Sequence, residues 1–169
     1  MKAVSKVRPK GYYVVDMFRP STGKVIWEEK FRNLVVGVGL AELLTNGLTS
    51  KTQYLGLTTG SPTPHAGDTM SSHSGWVEFH TNYSETVRQT WNRVQTGASA
   101  TNIADRAEFT LTVANQTTGG VFLCDDDTKN GSTGILYSVS PYETGNRSVN
   151  EIGDIIRVTY IADVVDEGA

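Results

Sequence analysis

The chain has 169 residues, a length that suits one domain around one hydrophobic core. Apolar residues make up 38% and charged residues 20%, which excludes a disordered chain, and fifteen aromatic side chains supply the bulk for a sheet-on-sheet core. The net charge is −3, but Lys2, Lys6, Arg8 and Lys10 put +4 in the first ten residues, leaving −7 for a body too acidic to favour nucleic acid, whose binding depends on phosphate contacts.

Residues 1–10, MKAVSKVRPK, read as a basic N-terminal arm. Pro9 discourages helix there and favours an extended path, and the cations of the arm are candidates for contact with an acidic partner. No apolar segment of secretory length follows them, so the chain is expected to be made in a cytoplasm. No apolar run approaches the ~18 residues of a membrane helix, so no membrane partner is expected. Four sequon-like triplets, at Asn82, Asn115, Asn130 and Asn146, then read as chance in a chain rich in Ser, Thr and Asn.

Residues 11–169 read as one β domain. Gly11–Phe18 and Lys24–Phe31, separated by Arg19-Pro20-Ser21-Thr22-Gly23, predict a hairpin with Val25, Trp27 and Phe31 on one face. One short helix is expected over about 36–46. Asn33 is its candidate N-cap, Val36, Leu40, Leu43 and Leu44 form an apolar stripe, and Gly47 is the C-terminal stop. Gly37 and Gly39 weaken its first turn by up to about 1 kcal/mol each relative to Ala. The stripe is expected to dock on a sheet or on a neighbouring subunit.

Thr52–Thr58, Gly75–His80, Thr86–Val94, Gly119–Cys124 and Gly134–Ser140 have strand composition between turn residues. Val121–Cys124 is continuously apolar, as a strand covered on both faces would be, and Cys124, the single cysteine, is expected to be buried there. Alternation is clearest in Arg106–Val113 and Asp154–Ala162. Gly60–Ser74, Thr96–Asp105 and Asp125–Thr133 read as loops. The sum is an all-β fold, a β-sandwich or jelly roll of about eight to nine strands.

Motifs for chemistry are weak. His65, His73 and His80 lie close in sequence with Asp68 and Glu78, but their spacing matches no zinc motif. Asp125-Asp126-Asp127-Thr128-Lys129-Asn130-Gly131 resembles a calcium loop until position 12, where Tyr137 replaces the required Glu, or until Lys129 falls on a ligand position. Ser72-His73-Ser74-Gly75 lacks the strand-to-helix setting of a nucleophile elbow, and Val36-Gly37-Val38-Gly39 lacks the Lys of a phosphate loop. A paired-carboxylate glycosidase would need two convergent acids that no motif announces. The expectation is a protein that is not an enzyme, with no catalytic residues, no metal site, no cofactor and no small-molecule substrate.

The phrases Phe31-Arg32-Asn33-Leu34-Val35-Val36-Gly37-Val38-Gly39-Leu40, Tyr54-Leu55-Gly56-Leu57, Gly67-Asp68-Thr69-Met70 and His73-Ser74-Gly75-Trp76-Val77-Glu78 resemble a family of small phage virion proteins. So do Tyr83 to Trp91 with Arg88, Gly120-Val121-Phe122-Leu123, Ser148-Val149-Asn150 and Gly153-Asp154-Ile155-Ile156-Arg157-Val158-Thr159-Tyr160. Together they span about Phe31 to Ala162, while the first thirty residues lie outside. The resemblance is to bacteriophage head decoration, or cement, proteins of jelly-roll type. It implies a homotrimer on the capsid surface of the virion, bound to the major capsid protein and stabilising the shell after synthesis in the host bacterial cytoplasm. The alternative is a receptor- or glycan-binding domain of a tail fibre or baseplate, which would need Trp76, Trp91 and Tyr142 exposed. The tryptophans are expected in the core instead.

Overall fold

In a computed structural model, which describes residues 7–48 and 50–166, the polypeptide forms an all-β sandwich with one helix. Sheet A follows the order β2-β1-β13-β7-β6, from Lys24–Arg32, Val7–Arg19, Ile155–Asp166, Ser99–Thr101 and Val94–Thr96. β8 (Ala107–Thr110) lies beside β7 along the same side of β13. Sheet B follows β3-β11-β10-β4-β5, from Leu34–Val35, Leu136–Pro141, Gly120–Cys124, Tyr54–Thr58 and Gln89–Thr90. β9 (Gln116–Thr118) and β12 (Arg147–Val149) form a separate ribbon. The pairing is antiparallel throughout these ladders, the arrangement that lets neighbouring strands be joined by short turns.

Alternation along β1 and β13 builds the main core. Tyr13, Val15 and Met17 point inward beside Tyr160, Val158 and Ile156, because each pair sits opposite in the β1–β13 register. They meet Leu55, Leu57, Val121 and Leu123 of sheet B. The hydroxyls of Tyr13 and Ser138 are 2.6 Å apart across the layers, so a polar group deep in the core is satisfied. Val121–Cys124 is buried over its whole length, as its unbroken apolar run predicts. The second face of sheet B carries a smaller core of Phe122, Cys124, Leu136 and Val139 under Val36, Met70 and Trp76. Gly56, the cross-strand partner of Phe122, leaves room for that ring, which a Cβ would strike.

The hairpin forms where expected, with one change. A bulge at Ile26 shifts the register between Met17 and Phe18, so Trp27 faces the core while Val25 turns out to solvent. Gly75–His80 does not form a strand; it touches sheet B through the single bridge Thr58–Glu78. Thr96–Asp105, expected as a loop, holds β7, which makes a hairpin with β6 around Gly97 at positive φ. Thirteen strands are present among the described residues rather than about eight to nine, because β3, β6, β7, β9 and β12 are two- or three-residue pieces too short to show a period.

The helix α1, Gly37–Thr45, also differs in detail. Its N-cap is Val36, since Leu34 and Val35 first pair with β11 and delay the helix start. Asn33 instead donates from Nδ2 to the Tyr160 hydroxyl at 2.9 Å. Gly47, at φ +75° after the C-cap Asn46, ends the helix in the expected way. The helix rests on sheet B through Gly39, where a Cβ would meet the Tyr137 carbonyl at 2.5 Å. The glycine that weakens the isolated helix is thus what lets it lie flat on β11. The leucine stripe is left outside: Leu40 and Leu44 are exposed and Leu43 half-buried.

Candidate functional site

Sheet A presents a charged outer face, and the strand registers decide which charges meet. Even-numbered residues of β1 point outward, opposite their partners on β2 and β13. At one end Tyr12 lies across from Arg32, and Val14 across from Lys30. The Lys30 ammonium is 5.3 Å from the Tyr12 ring centre and the Arg32 guanidinium 5.9 Å, within the range of cation–π attraction. Lys10 and Arg8 continue the same row of β1 toward its start, beyond the half-buried Tyr12. The acid in register with them is Asp163, opposite Lys10.

Residues 7–10 therefore belong to a strand rather than to an arm: Arg8, Pro9 and Lys10 pair with Val165, Val164 and Asp163. Lys2 and Lys6 lie outside the described residues. Lys30 and Arg32 were not legible as members of this group, because only the hairpin register carries them to Tyr12. A shift of one residue would have sent both to the core side.

The opposite end of the same face is neutralised. Asp16, fully buried, accepts from Arg106 Nη1 at 2.6 Å and from Arg157 Nε at 2.7 Å. Arg157 also lies 4.5 Å over Phe18.

The groups that suggested chemistry each have a separate partner. His73 stacks on Trp76 at 3.7 Å, His80 Nδ1 faces the Glu78 carbonyl at 3.0 Å, and Asp68 accepts from the His65 backbone N–H. Among the described residues no three His, Cys, Asp or Glu side chains gather as a metal site. The Asp125–Gly131 loop folds inward: Asp126 accepts from the Thr128 N–H and from the Thr133 hydroxyl, contacts that hold its carboxyl below the usual range.

That loop closes over Arg88, whose guanidinium is fully buried. Nε and Nη2 grip Glu78 at 3.1 and 2.8 Å, Nη1 donates to the Asp126 carbonyl and reaches Cys124 Sγ, and Nη2 donates also to the Gly131 carbonyl. Each of its five N–H donors has an acceptor, the condition under which a buried cation is tolerated. The Cys124 thiol is raised to about 11, mainly by burial, and is inert at neutral pH. The sequence shows Glu78 near three histidines in a spacing that fits no metal motif, and Arg88 inside the expected strand Thr86–Val94; the structure instead keeps only Gln89–Thr90 as strand and pairs Arg88 with Glu78.

Trp91 and Trp76 are buried, as expected, and so is Tyr142; Trp91 Nε1 donates to the Tyr160 carbonyl. None of the three offers a ring to a ligand at the surface. Comparisons of the chain with protein-family models, curated proteins and solved structures found no match.

Proposed function

We propose that this chain is a structural protein of a phage head: it decorates the capsid and strengthens it by binding between shell subunits, without catalysis or cofactor. Two things support the reading. One is the likeness of phrases from Phe31 to Ala162 to head decoration proteins. The other, which carries the mechanism, is the basic platform of Arg8, Lys10, Lys30 and Arg32 around Tyr12. The exposed Lys30 and Arg32 beside Tyr12 suit an acidic surface, and opposite potentials steer the encounter and fix the orientation. Lys2 and Lys6 precede the platform in sequence and add to the positive charge of the first ten residues. Symmetric repetition over a shell multiplies a modest contact through effective concentration, and a trimeric subunit engages three such contacts together.

The test is binding to shells stripped of this protein. The double variant Lys30→Glu/Arg32→Glu changes two exposed side chains and leaves the core intact. Binding is expected to weaken and to lose much of its salt dependence, since exposed charge contacts are screened beyond about 10 Å at 0.1 M. Removing residues 1–6 alone, which spares β1, is expected to weaken it less. Binding of the double variant equal to the parent at every salt concentration refutes the platform as the attachment surface.

A further inference from the structure

Between α1 and β4 the chain carries Lys51 against two acids from separate elements. Glu42 turns inward from α1, and Asp125 follows the last residue of β10. Lys51 Nζ stands 3.0 Å from Asp125 Oδ2 and 3.3 Å from Glu42 Oε1. Asp125 Oδ1 accepts from the Ile135 backbone N–H at 2.5 Å. The lysine stem is half exposed, but the two carboxylate side chains are only 7% and 10% exposed. Glu42 Oε1 is buried and accepts no hydrogen bond among the described residues, so its contact is the charge on Lys51.

An ion pair between exposed side chains contributes little. Here the surroundings supply more than a charge. An amine touches a carboxyl group, a backbone N–H holds that group's second oxygen, and a buried carboxylate lies within reach of the same amine. Nucleophile, oxyanion donor and base are the parts of an acyl transfer. We propose that Lys51 and Asp125 become joined by an amide between their side chains, with Glu42 carrying the protons. The Lys51 ammonium gives a proton to Glu42, and the freed lone pair on Nζ attacks Asp125 Cγ, forming the Nζ–Cγ bond. The Ile135 N–H stabilises the charge that gathers on Oδ1. Glu42 passes that proton, and then a second one taken from Nζ, to Oδ2. The Cγ–Oδ2 bond breaks and water leaves. Ammonium and carboxylate have become a neutral amide and water, Glu42 is a carboxylate again, and no oxidant or co-reactant is consumed. Proximity drives the condensation, since well-oriented groups in one molecule react with effective molarities of about 10⁵–10⁸ M.

The charged and titratable groups around the amine are Asp125, Glu42, the Tyr137 phenol, and Arg93, whose Nη2 donates to the Lys51 carbonyl. Hydrogen bonds to Asp125 and Glu42 hold the ammonium above its ordinary lysine value, so linkage is slow at neutral pH and quickens as pH rises. The product ties the segment after α1 to the end of β10. It closes the chain from residue 51 to residue 125 as a disulfide would, in a protein whose one cysteine is buried alone. The inference concerns the interior of one chain and does not rest on the capsid reading.

Intact mass spectrometry of the full chain, followed over days at neutral pH and at about pH 9, reads the reaction. The parent is expected to become lighter by one water, faster at the higher pH. Tryptic digestion is expected to yield a branched peptide joining Lys51 to Asp125, with no cleavage after Lys51. Lys51→Arg keeps the cation but offers no amine nucleophile, and is expected to keep its full mass. Glu42→Gln keeps the size of the side chain and is expected to link about 100-fold more slowly. Circular dichroism confirms that each chain is folded before incubation. A folded parent that keeps its full mass at both pH values overturns the proposal, as does a water loss that digestion maps to any other residues or that Lys51→Arg also shows. A Glu42→Gln chain that links as fast as the parent overturns the role of Glu42.

Discussion

The two faces of sheet B near Cys124 solve the same problem in opposite ways. On one face Arg88 is buried with all five donors matched, and a loop with three consecutive aspartates is folded down to supply acceptors. On the other, Leu123 and Tyr137 form the floor of an apolar groove that the described side chains leave open. The first region spends charge and hydrogen bonds to complete itself. The second leaves apolar groups lining a groove among the described residues. Polarity, which suggests binding when read along the sequence, is here used for closure, and the unremarkable leucines are what remain open.

The contrast breaks most visibly at Arg88. Arg88→Met removes the cation and leaves Glu78 buried without its partner, for which a loss of about 3–5 kcal/mol is expected. Urea unfolding followed by tryptophan fluorescence measures it. A loss below about 1 kcal/mol would mean that the pair is not the closure described.

Gly39 tests the seat of the helix. In an isolated helix Gly→Ala stabilises by up to about 1 kcal/mol. Here the added methyl meets the Tyr137 carbonyl, so Gly39→Ala is expected to destabilise by about 1–3 kcal/mol, the usual cost of overpacking. Thermal melting gives the sign, and a stabilised variant would detach α1 from β11.

Acid probes a third closure, at the ribbon edge. Burial pushes the Glu29 carboxyl up, but hydrogen bonds from Thr144 and the Arg147 guanidinium outweigh it and hold the group below its ordinary value. A depressed folded value stabilises above the unfolded one, about 4.3, and that stability is lost as pH falls through the folded value. Glu29→Gln is therefore expected to flatten the fall in stability below about pH 5. Equal slopes for the two chains would assign the acid loss to other carboxylates.

The smallest effect belongs to the open region. Leu44→Glu alters a side chain that is 89% exposed, so a change within about 0.5 kcal/mol is expected in urea unfolding. A larger loss would show the leucine to be part of the core after all.

Much of this architecture is legible in one dimension. The strands that carry the core, β1, β2, β8, β10 and β13, announce themselves by alternation or by an unbroken apolar run, since a sheet buried on one face needs period two and one buried on both needs none. The end of α1 is legible too, because Gly47 adopts a conformation other residues avoid. The candidate site is less so. Arg8 and Lys10 stand out by charge, but Lys30 and Arg32 join them only through a cross-strand register that no local pattern states.

The sequence by itself determined the class of fold, the burial of Cys124, Trp76 and Trp91, and the uneven charge. Periodicity and composition are local quantities and are written along the chain. Tertiary structure alone decided that Val25 turns outward at the Ile26 bulge, that Glu78 pairs with Arg88 rather than with histidines, and that the helix docks through Gly39 and leaves Leu44 in solvent. Each of these depends on which distant backbone lies alongside, and a side chain takes its role from the neighbour it meets rather than from the residues that flank it.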